Sequence, residues 1–226
     1  KELLNDAFVI NQPIQKVGGD GYWVYKKDHF VFIALFSCVG EGHLASMMAR
    51  IYANALKKLV IDYKIEFTGS ILQFIHREIQ ARFKDKKNMI LNTGADLGII
   101  KIDLNEKIMD FAGARMDLLK VQEGKIEIIR GDELQIGELF EHKHEYNTVK
   151  IDTSVPAKYY LMSDGLKRLK GGATLKPLGI DHLTNFFVKN RGKSLKDQKA
   201  LMLELITDWK GSFDQSEDLS LLGFEL

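Results

Sequence analysis

The stretch that most constrains this chain is 30–36, an unbroken apolar run reading Phe-Val-Phe-Ile-Ala-Leu-Phe, followed by Ser37-Cys38-Val39-Gly40-Glu41-Gly42. It is far shorter than the ~20 apolar residues a bilayer span needs. Turn residues bound it, so it reads as a buried strand. From residue 44 to 60 the apolar residues Leu44, Met47, Met48, Ile51, Tyr52, Ala55, Leu56, Leu59 and Val60 recur at helical spacing, with Arg50, Asn54, Lys57 and Lys58 opposite. The Met47-Met48 pair reads as core packing. A strand end, a glycine turn and a helix start bring backbone amides and side chains together, which makes such a junction a place to build a site. The side chain standing at this strand end is the neutral hydroxyl of Ser37.

The rest of the chain is arranged around that junction. Residues 1–16 are weakly patterned and reach the core through 8–10 and Ile14, with Pro13 favouring extended backbone. In Val17-Gly18-Gly19-Asp20-Gly21 the paired glycines allow close approach of the backbone to something and present Asp20 at a strand start. Residues 22–26 and 29–36 form a hairpin around Lys27-Asp28. A helix over 70–83 turns Ile71, Leu72, Phe74, Ile75, Ile79 and Phe83 inward and leaves His76 at the surface or an edge, and 84–87 is a solvated loop. Short strands at 94–104, 107–113, 118–122 and 125–130, joined by tight turns, read as an antiparallel meander. Strands at 148–151 and 158–162 follow, the second ending at Ser163-Asp164-Gly165. His142 and His144 read as surface residues. After Gly171-Gly172 come helices over 181–188 and 194–210, the latter carrying Leu195, Ala200-Leu201, Leu205 and Trp209 with Gly211 as C-cap. Glu217-Asp218 then precedes a last strand over 219–226.

With 226 residues, 45% of them hydrophobic, and no Pro/Ser-rich linker, the chain reads as one domain over 17–226, with 1–16 leading in from an upstream region. Its net charge of +1 makes no electrostatic case for nucleic acid or an acidic membrane. The single cysteine, Cys38, excludes a disulfide framework and a cysteine-based zinc site, and suits a reducing, cytoplasmic setting. The opening Lys1, in place of Met, suggests a piece of a longer protein.

Three acidic stations share one context, a glycine turn or the end of an apolar strand: Asp20, Asp164 and Glu217-Asp218. Oxygen-only clusters suit hard cations such as Mg²⁺ or Mn²⁺. In this order, with Val17-Gly18-Gly19-Asp20, the Ser37 to Gly42 turn, Phe111-Ala112-Gly113-Ala114, Met162-Ser163-Asp164-Gly165 and Glu217-Asp218-Leu219-Ser220, they resemble the PPM family of metal-dependent protein phosphatases, in its bacterial SpoIIE-like branch. The resemblance implies an α+β fold in which two antiparallel β-sheets are sandwiched between helix layers. It also implies two Mg²⁺ or Mn²⁺ ions whose bridging water attacks a phosphoserine or phosphothreonine. By motif, Asp20, Ser37 and Asp164 take catalytic positions. Asp20, Gly21, Asp164, Glu217 and Asp218 take metal positions, with Glu217 favoured over Asp218, and Gly40-Glu41-Gly42 shapes the adjoining loop. The implied substrate is a phosphorylated anti-anti-sigma protein of STAS type. The implied setting is a cytoplasmic output domain behind an upstream sensor, which a membrane anchor could tether, with pairing through the N-terminal region or the 44–60 helix.

The departures from the family pattern carry as much weight. Ser37 stands where the family has an aspartate bridging both ions, Glu41 where it has histidine, and Glu217 where it has aspartate. A natural loss, an introduced change, or a Glu41 reaching back are the three readings of Ser37. Two dications a few ångströms apart repel strongly without a bridging carboxylate. The chain is therefore expected to hold at most one Mn²⁺ or Mg²⁺ and to hydrolyse phosphoprotein slowly or not at all, with Ser37→Asp restoring the second ion. Three readings of function follow: a serine/threonine phosphatase, a partner-binding module on the same fold, and an α+β domain unrelated to phosphoryl chemistry. No serine sits in a nucleophile elbow, and no glycine turn matches a Walker A or dinucleotide fingerprint.

Overall fold

The computed structural model describes residues 6–40, 42–83, 93–138, 145–171 and 175–226. In chain order the strands are β1 Ala7–Gln12, β2 Asp20–Lys27, β3 Phe30–Cys38, β4 Ala95–Asp103, β5 Ile108–Ala114, β6 Leu118–Gln122, β7 Lys125–Ile129, β8 Val149–Asp152, β9 Lys158–Met162, the short pair β10 Lys170–Gly171 and β11 Lys176–Pro177, and β12 Leu219–Glu225. The helices are α1 Gly42–Lys57, continued by a π-helical turn Lys58–Asp62, α2 Thr68–Phe83, α3 Asp164–Arg168, α4 Gly179–Lys189 and α5 Leu195–Lys210.

Two five-stranded sheets form, one ordered β1-β12-β9-β6-β7 and the other β2-β3-β4-β5-β8, and every adjacent pair of strands within them runs antiparallel. β3 shows why its sequence is apolar throughout. Successive side chains of a strand point to opposite faces. Phe32, Ala34 and Phe36 pack under α1 and α2 with Met48, Tyr52, Ile71 and Ile75. Val31, Ile33 and Leu35, with Phe111 of the same sheet, face the other sheet and join its Tyr159, Leu161 and Phe224. The outer face of that second sheet, with Phe8, Ile10, Tyr160 and Leu221, is covered by Leu183, Phe187, Met202 and Ile206 of α4 and α5. The layer order is thus helix, sheet, sheet, helix. α5 begins where the Ser194 hydroxyl accepts the Asp197 N–H at 3.1 Å, and it ends at Gly211, whose φ of 57° closes the last turn.

Several sequence-level expectations need correction. The strands at 94–113 and 118–130 are two hairpins in different sheets rather than one meander. Residues 7–12, assigned to the lead-in, are a strand of the domain's own sheet, paired with β12. Met47, Phe74 and Ile14 are exposed, because the first two lie on the far side of the helical stripes that bury Met48 and Ile75. The inward stripe of α5 runs through Leu195, Gln198, Met202 and Ile206, and Ala200 is exposed. His76 is buried, where its Nδ1 accepts the Gly137 N–H at 3.1 Å and lies 3.3 Å from the Tyr146 hydroxyl. The expectations for Glu41, residues 84–87, His142, His144 and Gly172 fall outside the described residues. Among those described, no helix is long and apolar enough to cross a membrane.

Candidate functional site

Register builds the centre of the site. Asp20 of β2 pairs with Ser37 of β3, and Ser37 pairs with Asp96 of β4. Cross-strand partners project from the same face, with about 4.8 Å between strands. The sheet therefore ends in a row of carboxylate, hydroxyl and carboxylate. The other sheet delivers its groups to the same end. The Ser163 N–H donates to the Ser220 carbonyl at 2.9 Å and the Ser220 N–H to Ser163 Oγ at 3.0 Å, which sets Asp164 beside the Glu217-Asp218 approach to β12. A cleft of about 970 Å³ opens there, lined by Asp20, Ser37, Asp96, Arg115, Arg168, Glu217 and Asp218 among others. Gly40 and Gly42, with φ of 106° and 63°, form its rim ahead of α1.

Asp218 is committed to backbone. Its carboxylate accepts N–H groups of Ile14 at 2.9 Å, Gly19 at 2.7 Å and Asp20 at 3.3 Å. This is what the glycine pair makes room for: a Cβ at Gly18 would collide with the Asp218 carboxylate. A Cβ at Gly165 would collide with the Asp218 carbonyl oxygen, so Ser163-Asp164-Gly165 and Glu217-Asp218 interlock. Gly21 pairs with Phe36 and lies under its ring.

The remaining carboxylates differ in how they are satisfied. Lys167 Nζ stands 2.5 Å from Asp164 Oδ1, and Arg168 Nη2 lies 3.8 Å from Asp164 Oδ2 and 2.9 Å from Glu217 Oε2. Asp96 takes a 2.7 Å hydrogen bond from Gln135 and lies 3.7 Å from Arg115, yet burial still raises its pKa. Burial pushes the Asp20 carboxyl up to about 6. Ser37, Ser163 and Ser220 hydroxyls oppose the shift, and the charge of Asp218 adds to it. Among the described residues, Asp20 Oδ2 and Ser220 Oγ are both buried with no hydrogen-bond partner. Cys38 is buried, and burial, then the charges of Asp20, Asp218 and Asp96, drive its thiol pKa upward, so it is no nucleophile.

A two-ion metal centre does not fit this donor set. The middle of the row is a serine hydroxyl, both oxygens of Asp218 are engaged by N–H donors, and Asp164 and Glu217 are bridged by the chain's own cations. Among the described residues no three His, Cys, Asp or Glu side chains gather closely enough to hold a metal ion. Sequence reasoning singled out Asp20, Ser37, Asp164, Glu217 and Asp218. It missed Asp96, Arg115, Gln135, Lys167 and Arg168. For the last two a signal existed, since Asp164, Lys167 and Arg168 stand at i, i+3 and i+4.

Two antiparallel sheets between helix layers, with acidic strand ends gathered at one edge, is the architecture of PP2C-type protein phosphatase domains, and this chain has that fold. The SiaA-PP2C domain of Pseudomonas aeruginosa superposes with a TM-score of 0.88 at 20% identity, over 97% of this chain and 85% of that one. The PP2C phosphatase domain of SpoIIE from Bacillus subtilis, solved with a fragment of its regulatory domain, gives 0.78 at 14% identity over 96% and 62%. RsbX, solved in complex with magnesium, gives 0.65 at 19% identity over 96% and 92%. No protein-family model matches the sequence, and no curated protein matches it.

Proposed function

We propose that this chain is a PP2C-fold signalling domain that binds a phosphoprotein of STAS type at the cleft and hydrolyses it very slowly or not at all. The observation that carries the reading is the row Asp20–Ser37–Asp96, in which the strand-end position between two carboxylates is neutral. Losing a group that merely orients a metal ligand costs about 10–100-fold in affinity or activity. A missing bridging carboxylate costs more. A signalling setting is supported by the fold relatives, among them a structure from the bacterial stressosome and the SpoIIE phosphatase domain with its regulatory fragment.

The test sets binding beside turnover. Phosphorylated and unphosphorylated STAS-type protein are titrated into the domain by calorimetry, and phosphate release is followed in excess Mn²⁺, with the PP2C phosphatase domain of SpoIIE as the reference. Saturable binding is expected, with release at least about 100-fold slower than the reference. Release at the reference rate overturns the reading, and so does the absence of binding to either form.

A further inference from the structure

We infer that Lys167 and Arg168, of which Arg168 lines the cleft and Lys167 stands behind it on Asp164, are the resident cations of the acidic edge, standing where the phosphatase resemblance places divalent ions, so that the edge is held together without metal. The inference rests on the proposed function only in treating Asp164 and Glu217 as the counterparts of metal-binding carboxylates. Asp164 opens α3, a single helical stretch of five residues. Positions i, i+3 and i+4 of a helix share one face. Lys167 and Arg168 therefore fold back onto Asp164, and Arg168 spans the gap to Glu217 on the approach to β12. One guanidinium thus joins carboxylates from the two chain segments that the interlock at Gly165 brings together. Planar guanidinium, with several donors in a fixed fork, suits such bridging.

Charge balance favours this arrangement over an ion. Asp164 and Glu217 carry two negative charges, and Lys167 and Arg168 carry two positive ones. A dication entering between them would meet two cations, while of the neighbouring carboxylates Asp218 is engaged by backbone N–H groups, Asp96 lies against Gln135 and Arg115, and Asp20 stands behind the neutral Ser37. Each pair is partly solvent-exposed, from 24% for the Asp164 side chain to 57% for Arg168, so each pair alone is weak. The block to metal comes from the pairs acting together with the neutral Ser37. It follows that Ser37→Asp by itself does not rebuild a two-ion centre, because the cations remain.

The experiment titrates Mn²⁺ into the full chain by calorimetry and measures thermal unfolding in EDTA and in excess Mn²⁺. For the wild-type chain, no saturable heat and the same Tm in both are expected. In Lys167→Ala/Arg168→Ala the facing carboxylates lose their partners. Its Tm falls in EDTA, Mn²⁺ restores it where NaCl of equal ionic strength does not, and the affinity for Mn²⁺ rises at least about tenfold. Adding Ser37→Asp to that variant raises affinity further, whereas Ser37→Asp alone leaves it within a few-fold of wild type. Saturable Mn²⁺ binding by the wild-type chain overturns the inference, as does a folded double variant that binds no better. If the alanine variant does not fold even in Mn²⁺, Lys167→Gln/Arg168→Gln takes its place with the same two outcomes. An inert wild-type chain that binds Mn²⁺ sinks this inference alone, and one that releases phosphate at the reference rate without binding Mn²⁺ sinks only the functional reading.

Discussion

Asp20 is the residue at which the cost of this site is concentrated. Its carboxyl titrates near 6 against 3.8 when solvated, and the first cause is burial. The folded protein therefore holds a proton between those values that the unfolded chain has released, and stability falls as pH rises through that window. Above it, the ionised carboxylate destabilises the fold by at most about 3 kcal/mol. Asp20→Asn keeps the shape and removes the charge. Urea unfolding should find it about 1–3 kcal/mol more stable than wild type at pH 7.5, with the gain vanishing below about pH 4. A gain of equal size at both pH values would assign the effect to something other than charge burial. Asp20 was legible in the sequence because it stands beside a glycine turn, as were Asp164 and Glu217-Asp218. Asp96 was passed over: Gly94 stands just before it at the start of an apolar strand, but its place beside Ser37 is created by the β3–β4 register.

At the scale of elements, the two glycine collisions have different consequences. A Cβ on Gly18 meets the carboxylate of Asp218, a side chain that can rotate away at the loss of its three N–H partners. A Cβ on Gly165 meets the Asp218 backbone carbonyl, which cannot yield without moving the start of β12. Gly18→Ala should thus cost about 1–3 kcal/mol and Gly165→Ala more than about 3 kcal/mol, measured by chemical denaturation. In Gly18→Ala/Asp218→Ala the costs should be well below additive, because one change removes what the other displaces. Equal costs for the two glycines would mean that the interlock is softer than its geometry. Most strands and helices were readable, since apolar runs bounded by turns and helical periodicity are local signals. The π-helical turn and the two-residue β10 and β11 carry no such signal. Turn chemistry identified the hairpins β4–β5 and β6–β7, yet a tight turn says nothing about which sheet a hairpin joins.

For the whole molecule, the layered architecture followed from the order of strands and helices together with the family resemblance, whereas the N-terminal limit of the domain did not. A short, weakly patterned segment with one proline reads as a lead-in even where a few of its apolar residues reach the core. Its role emerges only from its partner: β1 pairs along its own full length with β12, from Ala7 opposite Phe224 to Gln12 opposite Leu219. It also buries Phe8 and Ile10 against α4 and α5, and the turn that follows supplies the Ile14 N–H to Asp218. β12 is the strand at whose start Glu217 and Asp218 stand, so removing β1 bares an edge directly beside the site. Burial of Phe8 and Ile10 is worth about 1.5–3 kcal/mol each, and an uncovered edge offers unpaired N–H and C=O groups to other chains. A chain reduced to residues 17–226 should therefore unfold at lower temperature and denaturant than the full chain, by about 3–6 kcal/mol from the two side chains alone. It should also self-associate in light scattering. Equal stability of the 17–226 chain would return residues 7–12 to the status of a lead-in, and would mean that β12 can close the sheet and hold the acidic edge unaided.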